Sequence, residues 1–161
     1  MAELPAVTDL IPHRDRWLLI DRLIELDPAA GRVVAEGRFT VDQVRGHFPD
    51  QPVLPGVMLL EAMAQTMACL HVLSNRLAAE QAADAGEEHQ DGTPFLAGFE
   101  KVRFKAPVLP PATVRFEVTV KEQRFGLTTA SGVAKVDGRK VCQARLTGAI
   151  LPAHMTAPEA G

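Results

Sequence analysis

The feature that most constrains the fold is a long apolar segment that directly follows a proline-rich loop. Residues 57–83 (VMLLEAMAQTMACLHVLSNRLAAEQAA) contain no proline or glycine and many strong helix formers. As far as Leu73 this helix is apolar nearly all round, which predicts that other structure wraps it. Residues 46–56 (GHFPDQPVLPG) hold three prolines and therefore form an extended loop, not a helix.

Strand patterns lie on both sides of this helix. Residues 17–27 are rich in branched apolar side chains and predict a strand, and residues 31–39 alternate, with Val33, Ala35, Gly37 and Phe39 on one face. After the helix, four more strands are predicted, at residues 97–105, 113–122, 127–136 and 142–150. Asp137–Gly138 is a strong hairpin signal between the last two.

This order predicts an α+β fold, in which a curved antiparallel sheet wraps one long central helix. A chain of 161 residues is long enough for a single domain, 1–161, with its own core. The open edges of such a sheet are usefully paired with a second copy, so we expect a homodimer.

Composition excludes several classes of function. The net charge of −3 argues against nucleic acid as a partner, because phosphate neutralisation requires a basic excess. The longest apolar stretch, residues 57–73, is interrupted by Glu61, Gln65 and His71, so we expect it to be too short and too polar to insert in a membrane.

Localisation and redox chemistry follow from the termini and the cysteines. The first ten residues have no signal-peptide pattern. Cys69 and Cys142 form no CxxC motif, so the sequence indicates neither a zinc site nor a disulfide. It predicts buried thiols in a reducing cytoplasm.

Residues 78–92 are rich in Ala, Glu, Asp and Gln and predict a helix extension that frays into a solvated acidic loop.

The start of the central helix is an electrophilic position. Pro55 costs nothing there, because the first amides of a helix have no internal partner. Gly56 lacks a Cβ, so a ligand can approach its backbone. The free amides of Gly56 and Val57 and the helix dipole could polarise a thioester carbonyl, and losing one such donor typically costs about 3 kcal/mol of transition-state stabilisation.

An acid and a base flank this position. Glu61 lies about 7–8 Å further along the helix axis among apolar neighbours, where burial favours the uncharged acid that can protonate a leaving hydroxyl. Gln65 shares its face and could orient the carboxyl. The imidazole of His47 suits a base at neutral pH. Base, carbonyl-binding amide and acid are what elimination of water from a β-hydroxy thioester requires, with no metal and no cofactor.

Each of these residues also has a plainer interpretation. A lone loop histidine is more often structural, a lone glutamate in an apolar helix is as often structurally paired, and a proline–glycine break is merely a helix start. Their joint spacing is what favours chemistry.

The segment GHFPDQPVLPGVMLLEAMAQ, residues 46–65, resembles the signature of the FabZ-type (3R)-hydroxyacyl-[acyl-carrier-protein] dehydratases, a hotdog-fold family. The resemblance extends to LIPHR at 10–14, LLIDR at 18–22, KVRFKAP at 101–107 and VAKVDG at 133–138. It covers residues 10–151, which we take as the core of the domain.

This resemblance implies roles for individual residues. His47 is the catalytic histidine, Glu61 is the catalytic glutamate supplied by the partner subunit, and the amide of Gly56 binds the carbonyl. A glutamate at position 61 points to the FabZ type, whereas the isomerising FabA type has aspartate. Phe48, Pro55 and Phe104 are assigned to the loop and the acyl tunnel. The implied partners are acyl-carrier protein and a second copy, in a dimer or a trimer of dimers.

The chain departs from the family pattern in three places. Residues 15–17 are Asp-Arg-Trp where an aromatic and a proline are usual, there is no tyrosine to gate the tunnel, and residues 80–91 look like extra acidic length. These departures bear on the length of the acyl chain that the enzyme accepts and on the gating of its tunnel, and not on the chemistry.

A basic rim is expected for docking the acidic carrier protein. Lys101, Arg103 and Lys105 are predicted to alternate along one strand face, and Arg38 and Arg45 are further candidates. A solvated outer strand face explains each of them equally well.

Two other functions remain open from the sequence. A hotdog acyl thioesterase can place a carboxylate on the same helix, although His47 and its proline loop favour elimination. A non-catalytic acyl-binding subunit would be expected to lack His47 or Glu61. Neither the acyl chain length nor the pathway, housekeeping fatty-acid or specialised polyketide synthesis, follows from the residues.

Overall fold

The computed structural model describes residues 3–86 and 92–152. The elements in these ranges are α1 (Val7–Leu10), β1 (Arg22–Asp27), β2 (Arg32–Phe39), α2 (Gly56–Ala85), β3 (Gly92–Phe104), β4 (Ala112–Arg124), β5 (Leu127–Val136) and β6 (Arg139–Pro152), with single-turn 3-10 helices at Asp15–Trp17 and Asp42–Val44.

The six strands form one antiparallel sheet in the order β1-β2-β4-β5-β6-β3. Its inner face carries the predicted alternation, since Val33, Ala35 and Phe39 of β2 are buried. The ring of Phe39 meets that of Phe116 on β4 edge to face, with centroids 6.3 Å apart. The predicted curved sheet around one central helix is confirmed.

Helix α2 lies against the inner face of the sheet. Its buried residues are Leu59, Ala62, Met63, Gln65, Thr66, Met67, Cys69 and Leu70. The helix has 30 residues, more than the apolar stretch 57–73, and by length and composition alone it could cross a membrane. More than half of the most apolar window is nevertheless buried, as in the core helix of a folded domain.

The first strand begins later than the sequence predicts. Residues 17–27 were expected to be one strand, but β1 starts only at Arg22. The preceding segment is bonded to a helix side chain instead. Oε1 of Gln65 accepts a hydrogen bond from the Leu19 N–H, and Nε2 of Gln65 donates one to the Trp17 carbonyl. The hydrogen-bond partner of these two backbone groups is a side chain from a distant part of the sequence, and an alternating strand pattern carries no sign of such a contact.

Gly37 of β2 allows this segment to approach the sheet. A Cβ at Gly37 would overlap the carbonyl oxygen of Leu19. We therefore expect Gly37→Ala to lower the free energy of unfolding by about 2–3 kcal/mol, since a backbone oxygen cannot rotate away as a side chain can. Urea unfolding at fixed protein concentration measures this, and an unchanged midpoint would show that the segment can withdraw without cost.

The ends of α2 and β5 follow local sequence signals. Gly86 ends α2 in a left-handed conformation, with φ of 71°, so residues 78–85 are a helix extension. The remaining acidic positions, 87–91, lie outside the described residues. Asp137 and Gly138 both have positive φ, as the predicted hairpin turn requires.

Candidate active site

Glu61 lies on the second turn of α2, and its carboxyl group is held by one oxygen. The Oε1 atom accepts a hydrogen bond of 3.0 Å from Nε2 of Gln65. Nε2 of His13 stands 3.6 Å from the same oxygen. The side chain is 38% exposed in the single chain, so the burial expected from its apolar neighbours is incomplete there. The arrangement leaves Oε2 as the oxygen free to face a substrate.

Gln65, which orients Glu61, is itself fixed on all sides. It is buried to 1% exposure and its Oε1 accepts the Leu19 N–H at 3.0 Å. Its Nε2 donates to the Trp17 carbonyl at 2.7 Å as well as to Glu61. An amide bonded to backbone in this way cannot rotate, so it holds the Glu61 carboxyl in one orientation.

His13 was not singled out from the sequence as a site residue. Arg14 fixes its segment by donating to the carbonyls of Thr8, Ile11 and His13 itself at 2.9, 2.7 and 2.7 Å. Among the described residues, the buried Nδ1 atom of His13 has no hydrogen-bond partner. The only sequence signal was its place in the LIPHR motif.

Glu61 lines a cavity of about 270 Å³ between α2 and the edge of the sheet. The lining residues are His13, Glu61, Ala64, Gln65, Met67, Ala68 and His71 on one side and Pro94, Phe95, Leu96, Gly148 and Ala149 on the other. The middle of the cavity is mainly apolar, which suits an aliphatic chain that begins at the Glu61 carboxyl.

His71 lies further along this cavity wall, and burial lowers its pKa below the usual 6.5. Below about pH 6.5 the unfolded chain therefore binds a proton that the folded chain still excludes. The part of the free energy of unfolding that comes from His71 is lost as the pH falls from 6.5 through the folded pKa, by at most about 1.4 kcal/mol per pH unit.

We expect the His71→Gln variant to lose less stability than the wild type between about pH 7.5 and 5.5. Thermal melts at both pH values test this, and equal losses would contradict it.

His47 stands in the loop before α2, and its hydrogen bond selects the basic nitrogen. Nδ1 lies 2.8 Å from the Val53 carbonyl. A carbonyl only accepts, so Nδ1 carries the hydrogen and Nε2 carries the lone pair. The ring stacks on Phe48 with centroids 4.4 Å apart. The Val53 N–H bonds the His47 carbonyl in return, at 2.8 Å, which closes the loop around the histidine.

The structure brings Glu61, Gln65 and His13 together but leaves His47 elsewhere in the single chain. His47 and Gly56 do not line the cavity that holds Glu61. An acid and a base on different walls of one chain can still meet if a second copy supplies one of them.

The helix start is crowded by an aromatic ring. A Cβ at Gly56 would stand 2.6 Å from Cε1 of Phe104, so the glycine admits this ring beside Pro55 and the first turn. Phe104, Phe48 and Val57 are all exposed, and Val57 is 68% exposed. Three exposed apolar side chains close to the catalytic candidates are typical of a surface that another molecule covers.

The three basic residues predicted on one strand face, Lys101, Arg103 and Lys105, do not alternate as predicted. The register with β6 shifts between Glu100 and Arg103, and Lys101 has a positive φ of 51°. This bulge breaks the two-residue repeat of the strand, so Lys101 and Arg103 do not follow the regular alternation that would place both side chains on one face. Both are exposed, as is Lys105 directly after the strand.

Neither cysteine is placed for nucleophilic chemistry. Cys69 and Cys142 are both buried and free. Burial raises the pKa of Cys69 to about 12 and that of Cys142 to about 11, so both thiols stay protonated at neutral pH. Within residues 3–86 and 92–152, no group of three or more His, Cys, Asp or Glu side chains could hold a metal ion.

Comparison with known proteins decides the family. The model of the FabA-like domain matches residues 11–145. The chain belongs to the FabA-like family. Its relatives are of the FabZ type, as the resemblance implied. The 3-hydroxyacyl-[acyl-carrier-protein] dehydratase FabZ of Roseiflexus castenholzii is 39% identical over 152 residues, which cover 93% of this chain and 97% of that protein. The FabZ of Anaeromyxobacter sp. strain K is 40% identical over 140 residues, 86% of this chain and 83% of the relative.

Solved structures establish the fold of this FabA-like chain. The dehydratase heterocomplex ApeI:P from Xenorhabdus doucetiae matches with a TM-score of 0.72 at 17% identity, over 94% of this chain and 95% of the other. The uncharacterized protein PH1136 from Pyrococcus horikoshii matches with a TM-score of 0.65 at 14% identity, over 89% and 91%. The hotdog fold is therefore confirmed.

Proposed function

We propose that this FabA-like chain dehydrates (3R)-hydroxyacyl-[acyl-carrier-protein] to trans-2-enoyl-[acyl-carrier-protein] in fatty-acid or related acyl-chain synthesis. The observation that carries the proposal is the Glu61 carboxyl, held at Oε1 by Gln65 at the mouth of a largely apolar cavity. The names of its FabZ relatives support the same reaction.

The reaction needs one proton removed and one delivered. Nε2 of His47 takes the proton from C2 of the substrate, and the electron pair left on C2 forms the C2–C3 double bond. The bond from C3 to its hydroxyl breaks as Glu61 protonates that hydroxyl, so water leaves. The amides at the start of α2, at Gly56 and Val57, stabilise the negative charge on the thioester oxygen meanwhile. A proton passes back from His47 to Glu61 through solvent to restore the enzyme.

The hydrogen bonds of the two residues suit these roles. The Val53 carbonyl fixes the hydrogen of His47 on Nδ1, which leaves Nε2 to accept. Gln65 donates to Oε1 of Glu61, so the acidic proton is favoured on Oε2, which then donates to the hydroxyl. No cofactor takes part in any step.

The complete site belongs to a homodimer, with Glu61 facing His47 of the partner subunit. Strand β3 supports this, because it is an edge strand and carries exposed Phe95 and Phe104. Such an edge is readily covered by a second copy. The family resemblance implies either this dimer or a hexamer built of three such dimers. Acyl-carrier protein docks at the exposed Lys101, Arg103 and Lys105, and the buried free thiols suit the cytoplasm.

A thioesterase is the competing function on this fold. Hydrolysis needs an activated water near the carboxylate but not a second, basic side chain at the helix start. His47, with its basic Nε2 atom, therefore favours elimination over hydrolysis, and it also argues against a non-catalytic acyl-binding subunit.

The test is incubation with 3-hydroxyacyl-carrier-protein thioesters followed by mass spectrometry. We expect loss of one water and the absorbance of a conjugated enoyl thioester. Release of free acid and carrier thiol would establish a thioesterase instead, and an unchanged substrate would favour an acyl-binding subunit.

A further inference from the structure

His71 is a polar side chain in the cavity wall that the proposed dehydration does not use. It lies ten residues after Glu61 on α2, about 15 Å along the helix axis. Its Nε2 atom is buried and has no hydrogen-bond partner within the described part of the chain. Burial lowers the pKa of His71, so the ring is neutral at physiological pH and can donate or accept at Nε2.

A glycine of the sheet lies next to this nitrogen. Gly148 of β6 faces His71, and a Cβ there would stand 3.6 Å from Nε2 and 2.7 Å from Cε of Met67. Both Gly148 and His71 line the cavity that starts at Glu61. The side chain that carries the unpartnered nitrogen therefore lines the space that an acyl chain would fill.

The groove does not end at His71. A second cavity of about 230 Å³ shares His71 and Pro94 with the first and continues along α2. Its lining adds Val72, Ala79 and Ile150 together with the polar Asn75 and Arg76. The groove therefore extends beyond His71, so a long acyl chain that starts at Glu61 would pass this histidine.

An aliphatic chain that reached His71 would leave the buried Nε2 atom without a partner, which is unfavourable. A chain with a hydroxyl at that position would supply the missing partner, and a hydroxyl suits either tautomer of the ring because it both donates and accepts. We propose that the distal groove selects 3-hydroxyacyl thioesters whose chain carries a second hydroxyl opposite His71. This inference rests on the proposed dehydratase function and deepens it.

The test compares long-chain 3-hydroxyacyl-carrier-protein thioesters that differ only in a second hydroxyl, which is moved carbon by carbon along the distal half of the chain. At one position we expect kcat/KM to exceed that of the plain alkyl substrate by about tenfold, equivalent to about 1.4 kcal/mol. His71→Leu should abolish or reverse this preference. His71→Gln, which keeps a donor and an acceptor, should retain part of it.

A short substrate that ends before His71 separates this inference from the proposed function. If the short substrate is dehydrated but no hydroxyl position is preferred, the distal site is wrong and the dehydratase stands. Equal loss of preference in the Leu and Gln variants would also overturn the site. If nothing is dehydrated, the proposed function fails, and the ratio of binding affinities for the same thioesters decides the distal site alone.

Discussion

Replacing His47 by alanine is expected to lower the turnover of a 3-hydroxyacyl thioester by about two to four orders of magnitude, the usual contribution of a positioned general base. The physical reason is the Nε2 lone pair, which the Nδ1 bond to Val53 keeps available for the C2 proton. The Glu61→Gln variant should show a loss of the same order, because an amide cannot deliver a proton to the leaving hydroxyl.

Enoyl formation is followed by absorbance, and size-exclusion chromatography checks that the assembly persists. Glu25→Gln is the matched control, since Glu25 pairs with Arg32 on the β1–β2 hairpin and takes no part in the cavity. That variant should keep the wild-type rate. A near-normal rate in either site variant would refute the role assigned to that residue.

Mixing the two inactive variants is expected to restore activity. If each site takes His47 from one subunit and Glu61 from the other, a hybrid of His47→Ala and Glu61→Gln chains contains one intact site and one that lacks both groups. About half of wild-type activity should therefore return in the purified hybrid dimer, and about a quarter in an unpurified random mixture, where only half of the dimers are hybrids.

The experiment co-expresses the variants with different affinity tags and purifies the hybrid through both tags. The separately expressed variants, each paired only with itself, are the controls. Hybrids with no more activity than either variant would place the acid and the base in the same chain. This measurement matters because the single chain leaves His47 outside the Glu61 cavity.

The fold could be predicted from the sequence where local patterns and burial agree. The alternation in β2 and β4, the proline-free run of α2 and the Asp137–Gly138 turn each need only their own residues and one apolar face. The prediction failed at residues 17–21, where Gln65 from a distant helix bonds the Trp17 carbonyl and the Leu19 N–H. Such a contact joins residues 46–48 positions apart and leaves no periodic trace.

The site could be predicted only in part, for the same reason. The Glu61–Gln65 contact follows from helical spacing, since residues four apart share a face. The approach of His13 to Glu61 depends on how α1 packs, and the bulge at Lys101 depends on pairing with β6. His71 was read only as a polar interruption of an apolar run, because a sequence does not show which nitrogen is left without a partner.

The amide of Gln65 bonds main-chain atoms of residues 17 and 19, not their side chains. Leu19 is buried, but a substitution of Trp17, which is 68% exposed, can change the outer surface of this segment without disturbing the carboxyl that Gln65 holds. Engineering of this surface can therefore begin at Trp17, because the hydrogen bond that reaches Gln65 comes from its main-chain carbonyl.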